Sequence, residues 1–188
     1  IATGTAYDAE MRERIARHQR DRAERVAQLA TLEAPRAVAQ AIAAHSSPQH
    51  LLIVDCLTLW LTNWLMPAPD LPAQQDAADT WPAQAAQFLQ ALQQAPGPVI
   101  LVSNEIGLGV IPLGREVRAF VDALGTLNQQ AAAVCNRVTF MAAGFVNAAF
   151  ASATDMPSLT PETSLAWALM LGSVRTKASA RAAGAFMR

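Results

Sequence analysis

Lysine is nearly absent from this chain. Of its 14 basic residues only Lys177 is a lysine, and the other thirteen are arginines. Charged residues make up 15% of the 188 residues, and the formal net charge is −1. A chain so close to neutrality has no overall attraction to nucleic acid or to an anionic membrane. We therefore expect no partner of either kind, and we expect any basic site to be local.

Cysteine is also scarce, and this limits the redox and metal chemistry that the sequence supports. Cys56 and Cys135 stand in apolar contexts without CxxC spacing, so we expect buried thiols in a reducing compartment rather than a disulfide or a metal site. No apolar run is long enough to span a bilayer, and no secretory signal opens the sequence. The expected location is cytoplasmic, and the cysteines identify no metal site.

Apolar residues are abundant, at 52%, which is enough for a sizeable core. Three short apolar runs, 51–54, 99–102 and 138–141, are typical of strands buried on both faces of a parallel sheet. The stretches between them predict helices over residues 36–45, 57–66, 81–94 and 115–135. This alternation predicts an α/β fold with a mostly parallel sheet flanked by helices.

Polar residues follow two of the predicted strands directly. Asp55 ends the first run, and Asn104 and Glu105 come shortly after the second. Ligands of open α/β sheets bind beyond the carboxyl ends of the strands, so these three residues are expected to surround one crevice. Asp55 and Glu105 each have two interpretations, as a ligand of a nucleotide and its Mg²⁺ or as the cap of the following helix.

The most charged part of the chain is its opening helix. Five acids and six arginines lie between Asp8 and Arg25, and Asp8 is suited to cap the helix. Spacing of four residues stacks Arg14, His18 and Arg22 on one face. Met11 and Ile15 are its main apolar residues, which predicts only a thin stripe facing the core.

His18 has two interpretations at this point. Charged helix faces are usually solvated, and a histidine can fall on one by chance. Alternatively, arginines hold phosphate oxygens in bidentate geometry, and an imidazole nitrogen among them can attack phosphorus. Position alone does not separate the two.

Four segments in this order and spacing resemble one family. They are IATGTAYDAEMRERIARHQRDR, LLIVDCLTLWLTNWL, ILVSNEIGLGVIP and RAFVDALGTLNQQAA, and the resemblance covers residues 1–144. It is to the bifunctional adenosylcobinamide kinase / adenosylcobinamide-phosphate guanylyltransferases of cobalamin biosynthesis. The resemblance implies a P-loop NTPase-like (RecA-like) fold, a homotrimer, and ATP, GTP and Mg²⁺. It also implies phosphorylation of adenosylcobinamide, followed by transfer of GMP from GTP to adenosylcobinamide phosphate.

The same resemblance implies roles for individual residues. The family's EMxxRIxxH pattern ends here at His18, which would form a covalent guanylyl-histidine, with Arg14 and Arg22 offsetting phosphoryl charge. The residues implied to contact the nucleotide are Ala2, Thr3, Gly4, Gln19, Arg20, Asp21, Arg22, Glu33 and Asp55. Asn104 and Glu105 are expected to support the site.

Two regions depart from the family pattern. The family begins with a strand and a GGARSGKS phosphate loop, whereas this sequence opens at Ile1, in what would be the second strand. The expected domain is 1–144, followed by an atypical tail over 145–188. Residues 165–171 and 172–179 of the tail predict, as a hypothesis, a displaced strand and a degenerate phosphate loop that contains Lys177.

Three functions follow as hypotheses. The first is the bifunctional kinase and guanylyltransferase. The second is a catalytically impaired member of this family that acts as a folded binding module. The third is a P-loop kinase of another substrate, which gives the histidine pattern no role.

Overall fold

Helices and strands alternate along the part of the chain that the computed structural model describes. That part comprises residues 1–26, 29–67 and 80–142, together with the backbone of 145–149. The chain divides into two units, Ile1–Val134 and Cys135–Arg188. The expected boundary at residue 144 stays a prediction. None of the described helices is both long and apolar enough to cross a membrane.

The sheet of the first unit is parallel. Strand β1 (Leu52–Asp55) pairs with β2 (Val99–Val102), and Asp55 lies opposite Val102. On the other side of β1, Ala2 forms parallel bridges to both Asp55 and Glu33. The order across the sheet is therefore Glu33, Ala2, β1 and β2. The predicted α/β fold with a parallel sheet and flanking helices is confirmed.

Helix α1 (Ala9–Arg25) begins where the sequence predicts. The Asp8 carboxylate accepts a hydrogen bond of 2.7 Å from the backbone N–H of Met11, which satisfies one of the free donors of the first turn. No residue of this helix is buried. Met11 and Ile15 are half-buried and line a cavity rather than the core, so the predicted core-facing stripe is wrong. Helix α1 lies beside that cavity, and its apolar side chains are used there.

The core is built around Trp60, on helix α3 (Leu57–Leu65). The Trp60 ring is fully buried, with its centroid 5.0 Å from that of Trp81 and 4.8 Å from that of Phe88. Both partners are on helix α4 (Trp81–Gln94), and the inclined rings suit the quadrupoles of aromatic side chains. The other members of this cluster are Val38, Ala39, Ile42, Val54, Leu57, Leu61, Trp64, Phe120, Leu124, Leu127 and Ala131.

Helix α2 (Val38–His45) begins two residues later than predicted. The Arg36 carbonyl accepts one hydrogen bond of 2.9 Å from the Val38 N–H and another of 2.9 Å from the Trp60 indole. The Arg36 carbonyl thus links the turn before α2 to the buried Trp60 of the core.

Helix α5 (Arg115–Val134) follows β2 after a loop that contains a short 3-10 helix (Ile106–Leu108). Its buried residues Phe120, Leu124, Leu127 and Ala131 recur at helical spacing. The preceding loop is apolar but highly exposed at Leu108, Val110, Ile111 and Leu113.

The second unit contains a hairpin in place of the predicted third parallel strand. Strand β3 (Val138–Ala142) pairs antiparallel with β4 (Phe145–Ala149), and neither pairs with β1 or β2. Only two residues separate β3 from β4 in the sequence, whereas a parallel crossover needs about a dozen. The expectation of a parallel strand at 138–141 is therefore wrong, and β4 was not predicted. The hypothetical strand and phosphate loop of residues 165–179 lie outside the described residues.

Candidate functional site

A cavity of about 390 Å³ opens at the carboxyl edge of the parallel sheet. Helix α1 forms one wall, and the segments that leave Ala2, β1 and β2 form the other. The cavity is lined by Ala2, Gly4, Met11, Arg14, Ile15, His18, Gln19, Arg22, Thr31, Glu33, Asp55, Cys56, Thr58, Leu59, Val102 and Asn104. It lies where open α/β sheets bind their ligands.

The wall formed by α1 carries the basic residues. Arg14, His18 and Arg22 are spaced four residues apart, and all three line the cavity, as does Gln19. Arg14 and His18 are exposed, and Arg22 is half-buried. Two guanidinium groups and an imidazole thus stand on one helix face, in a geometry that suits an anionic ligand.

The opposite wall carries the acidic residues. Asp55 is the last residue of β1, and Glu33 lies next to Ala2 at the sheet edge. The Asp55 carboxylate lies 3.9 Å from the Arg22 guanidinium, and their side chains are 50% and 31% exposed. So exposed an ion pair is screened by solvent and contributes little to folding. Both groups are therefore available to a ligand at low energetic cost.

The end of β2 is held near the cavity by a short polar network. The backbone N–H and the amide of Asn104 donate to the Thr58 hydroxyl at 3.2 and 3.0 Å, and Asn128 donates to the Asn104 carbonyl at 3.1 Å. Thr58 lies in the first turn of α3, four positions after Val54 of β1. Thr58 was not predicted as a site residue, because its only signal in the sequence is its position just after Asp55.

Four residues singled out in the sequence do not line this cavity. Thr3 is fully buried, and its hydroxyl donates to the Cys56 carbonyl at 2.7 Å and accepts from the Cys56 N–H at 2.8 Å. Arg20 and Asp21 are absent from the lining, because successive helical residues point about 100° apart. Glu105 lines a different cavity, so the expectation that it joins Asp55 in one crevice is wrong.

That second cavity, of about 680 Å³, lies between the exposed apolar loop and α5. Glu105, Arg118, Asp122 and Gln129 are among its lining residues. Arg118 donates to the carbonyls of Pro112 and Leu113 at 3.0 and 2.6 Å. The Glu105 carboxylate accepts a weak hydrogen bond of 3.4 Å from Asn128. Asn128 thus contacts residues of both cavities.

Cys56 contributes a thiol to the first cavity, but not a reactive one. Burial raises its pKa above the usual range of a cysteine, and the negative charge of Asp55 raises it further. The thiol therefore stays protonated at neutral pH and is a poor nucleophile. Among the described residues, no group of three or more His, Cys, Asp or Glu side chains is placed to hold a metal ion.

Comparison with known proteins shows the family of this sequence. Residues 1–148 match the family described as cobinamide kinase / cobinamide phosphate guanyltransferase. The bifunctional adenosylcobalamin biosynthesis protein CobP of Pseudomonas aeruginosa is 46% identical over 144 residues, which cover 77% of this chain and 77% of that protein.

Two further relatives are bifunctional adenosylcobalamin biosynthesis proteins named CobU. The protein from Escherichia coli is 33% identical over 153 residues, and that from Salmonella typhimurium is 33% identical over 149 residues. Each alignment covers 77% of this chain and 81% of the relative. The chain belongs to the cobinamide kinase / cobinamide phosphate guanyltransferase family.

Proposed function

We propose that this chain acts in cobalamin biosynthesis as a guanylyltransferase whose nucleophile is His18, and that it also phosphorylates adenosylcobinamide. The observation that carries the proposal is the cavity at the sheet edge. His18 shares it with Arg14 and Arg22 on one wall, and with Glu33 and Asp55 on the other. The kinase half rests on the family alone, with ATP or GTP as phosphoryl donor.

The transfer proceeds in two displacements. An imidazole nitrogen of His18 forms a bond to the α-phosphorus of GTP while the bond to the bridging oxygen breaks, and pyrophosphate leaves. A phosphate oxygen of adenosylcobinamide phosphate then bonds to the same phosphorus, and the P–N bond breaks. Dividing the reaction in this way replaces one difficult step by two easier ones. Arg14 and Arg22 stabilise the negative charge that develops on the phosphoryl oxygens.

Mg²⁺ suits this site only in combination with substrate. Magnesium is usually held by one or two carboxylates together with substrate phosphates, rather than by an all-protein cage. Asp55 and Glu33 are the carboxylates that line the cavity, so these residues would hold the ion. When bound, it would neutralise phosphate charge. The nucleotide contacts of Ala2, Gly4, Gln19, Asp55 and Glu33 are part of the same proposal.

The decisive experiment is covalent labelling with GTP that carries ³²P at the α-phosphate. We expect the label to remain on the protein after denaturation and to map to His18. Acid should release it as GMP, because the P–N bond of a phosphoramidate is labile to acid. The His18→Ala variant should take up no label. His45→Ala is the matched control, because His45 is exposed at the end of α2 and does not line the cavity.

The labelling experiment also separates the alternatives. If His18→Ala labels as well as the unaltered protein, the guanylyl-histidine is refuted. If no label appears and GTP does not raise the melting temperature, the impaired-module hypothesis is favoured, because a ligand of the native state must stabilise it. The homotrimer and the cytoplasmic location stay predictions, and sedimentation equilibrium tests the first of them.

A further inference from the structure

We propose that Asn63, a fully buried residue of α3, is the positioning residue that holds α1 and thereby aims His18 at the sheet edge. The inference deepens the proposed function and rests on it. Asn63 does not line the cavity and would not touch substrate. It acts through the segment that leads from the sheet into α1.

Helix α1 needs such an anchor because core packing does not supply one. None of its 17 residues is buried. Its apolar residues Met11 and Ile15 face the cavity, where a ligand would displace water rather than find a packed core. A helix without a buried face has no strong preference for one orientation. Its direction must be determined mainly by the residues that precede it.

Those residues converge on the Asn63 side chain. Its amide nitrogen donates to the carbonyls of Thr3 and Pro35, at 2.7 and 2.8 Å. Its amide oxygen accepts from the Thr5 hydroxyl at 2.9 Å and also from the Tyr7 hydroxyl. Both donors of the amide and both lone pairs of its oxygen are therefore used.

The contact of Asn63 with Tyr7 lies at the start of α1, so a small change there moves the rest of the helix. Thr3 is part of the sheet edge, and Tyr7 directly precedes the Asp8 cap of α1. Asn63 therefore ties the last residue before the cap to the sheet. His18 follows Asp8 by ten residues, or about 15 Å of helix. A tilt of roughly 15° at the start of the helix would shift His18 by about 4 Å over that length.

Asn63 is itself held rigidly. The Arg36 guanidinium donates to the backbone carbonyl of Asn63 at 2.9 Å. It also stacks over the Trp64 ring, 5.1 Å from the ring centroid. A buried amide with all of its hydrogen bonds satisfied resists reorientation, because any other rotamer leaves buried polar groups unpaired. The anchor thus transmits the rigidity of the core to an otherwise weakly packed helix.

Tyr7→Phe provides the cleanest test, because it removes one of these links at a side chain that is 37% exposed. We expect the rate constant for labelling of His18 at saturating GTP to fall roughly tenfold, since small misplacements of a nucleophile are costly. The GTP concentration at half-saturation and the melting temperature should change little. Thr62→Val is the matched control on α3, because its hydroxyl bonds only within the helix, to the Thr58 carbonyl.

A second measurement does not depend on activity. Trypsin cleaves after arginine, and α1 contains six arginines, so cleavage within α1 reports how often the helix detaches. We expect faster cleavage there in Tyr7→Phe and in Asn63→Asp, which replaces a donor by an acceptor facing two carbonyls. Thr62→Val should be cleaved as slowly as the unaltered protein.

The outcomes separate the two proposals. If the unaltered protein takes up no label, the proposed function fails, while the trypsin rates still decide whether Asn63 anchors α1. If the protein labels but Tyr7→Phe has the same rate constant and the same cleavage pattern, the anchor is refuted. An effect on half-saturation alone would likewise overturn a positioning role, because it would show a contact with the nucleotide.

Discussion

Arg22 and Asp55 face each other across the cavity, with a guanidinium nitrogen 3.9 Å from a carboxylate oxygen. That separation is longer than a charge-assisted hydrogen bond, which spans about 2.7–2.9 Å. The two opposite charges therefore lie near each other without forming a short hydrogen bond. A phosphate oxygen could give Arg22 a shorter partner, and the released carboxylate of Asp55 could then serve a magnesium ion.

We therefore expect Arg22→Ala to weaken GTP binding and to leave folding almost unchanged. Loss of a hydrogen bond to a charged group costs roughly 1.5–3 kcal/mol, which corresponds to about a 10- to 100-fold increase in Kd. The matched control is Arg20→Ala, two residues along α1 and outside the cavity lining. Isothermal titration calorimetry measures both. An equal loss of affinity in the two variants would contradict the placement of Arg22.

Thr3 is expected to matter for stability rather than for nucleotide contact. Its buried hydroxyl satisfies both the N–H and the carbonyl of Cys56. Thr3→Val leaves these two buried groups unpaired, at a cost of about 1–3 kcal/mol for each group. Thr3→Ser keeps the hydroxyl and should lose far less. Urea unfolding measures the difference, and an equal effect of the two substitutions would contradict the hydrogen-bonding role.

The sequence predicted those parts of the fold that depend on local pattern. Strand β2 and helix α4 have the predicted bounds, since apolar runs and helical periodicity are properties of a few consecutive residues. The pairing partner of Val138–Ala142 could not be predicted from local pattern. Pairing depends on which strand lies nearby in space, and β4 was not predicted because residues 145–149 fall in the expected tail.

The candidate site shows the same division. Helical spacing alone put Arg14, His18 and Arg22 on one face, and all three line the cavity. The resemblance implied that three consecutive residues of the opening segment contact the nucleotide. Of these, Ala2 and Gly4 line the cavity, whereas Thr3 points into the interior. Side chains of an extended chain alternate between two faces, so three neighbours cannot all face one ligand. Asn63 was missed because a single amide in an apolar helix gives no local signal of its partners.

The Cys56 thiol should be slow to react with alkylating reagents at neutral pH. Its pKa is raised by burial and by the nearby Asp55 carboxylate, so forming the thiolate needs a higher pH than for a free cysteine. Asp55→Asn removes one of the two causes and should lower the pKa of the thiol. We expect the alkylation rate of Cys56 to rise at lower pH in that variant.

Iodoacetamide modification followed by peptide mass mapping across a pH series resolves the two cysteines. Cys135 is an internal reference, because burial raises its pKa as well but Asp55 does not contribute. Its pH profile should be the same in the unaltered protein and in Asp55→Asn. An unchanged profile for Cys56 in that variant would show that Asp55 does not act on the thiol.

Two glycines should respond to alanine in opposite directions. A Cβ atom at Gly97, just before β2, would lie 1.8 Å from the backbone oxygen of Ser47, and the Gly97 N–H already bonds to the Ser46 hydroxyl at 3.1 Å. Backbone atoms cannot move aside as a flexible side chain can, so we expect Gly97→Ala to destabilise the protein by at least about 2 kcal/mol.

Gly125 is the matched control inside α5, because a Cβ there would meet nothing within 4 Å. Alanine has the higher helix propensity, so Gly125→Ala should stabilise the protein by about 0.5–1 kcal/mol. Urea denaturation of both variants gives the two free energies of unfolding. Ser46 and Ser47 lie in the connection between α2 and β1. If Gly97→Ala were as stable as the unaltered protein, this connection would have to leave room beside Gly97 for a Cβ atom, which contradicts the expected distance of 1.8 Å to the Ser47 oxygen.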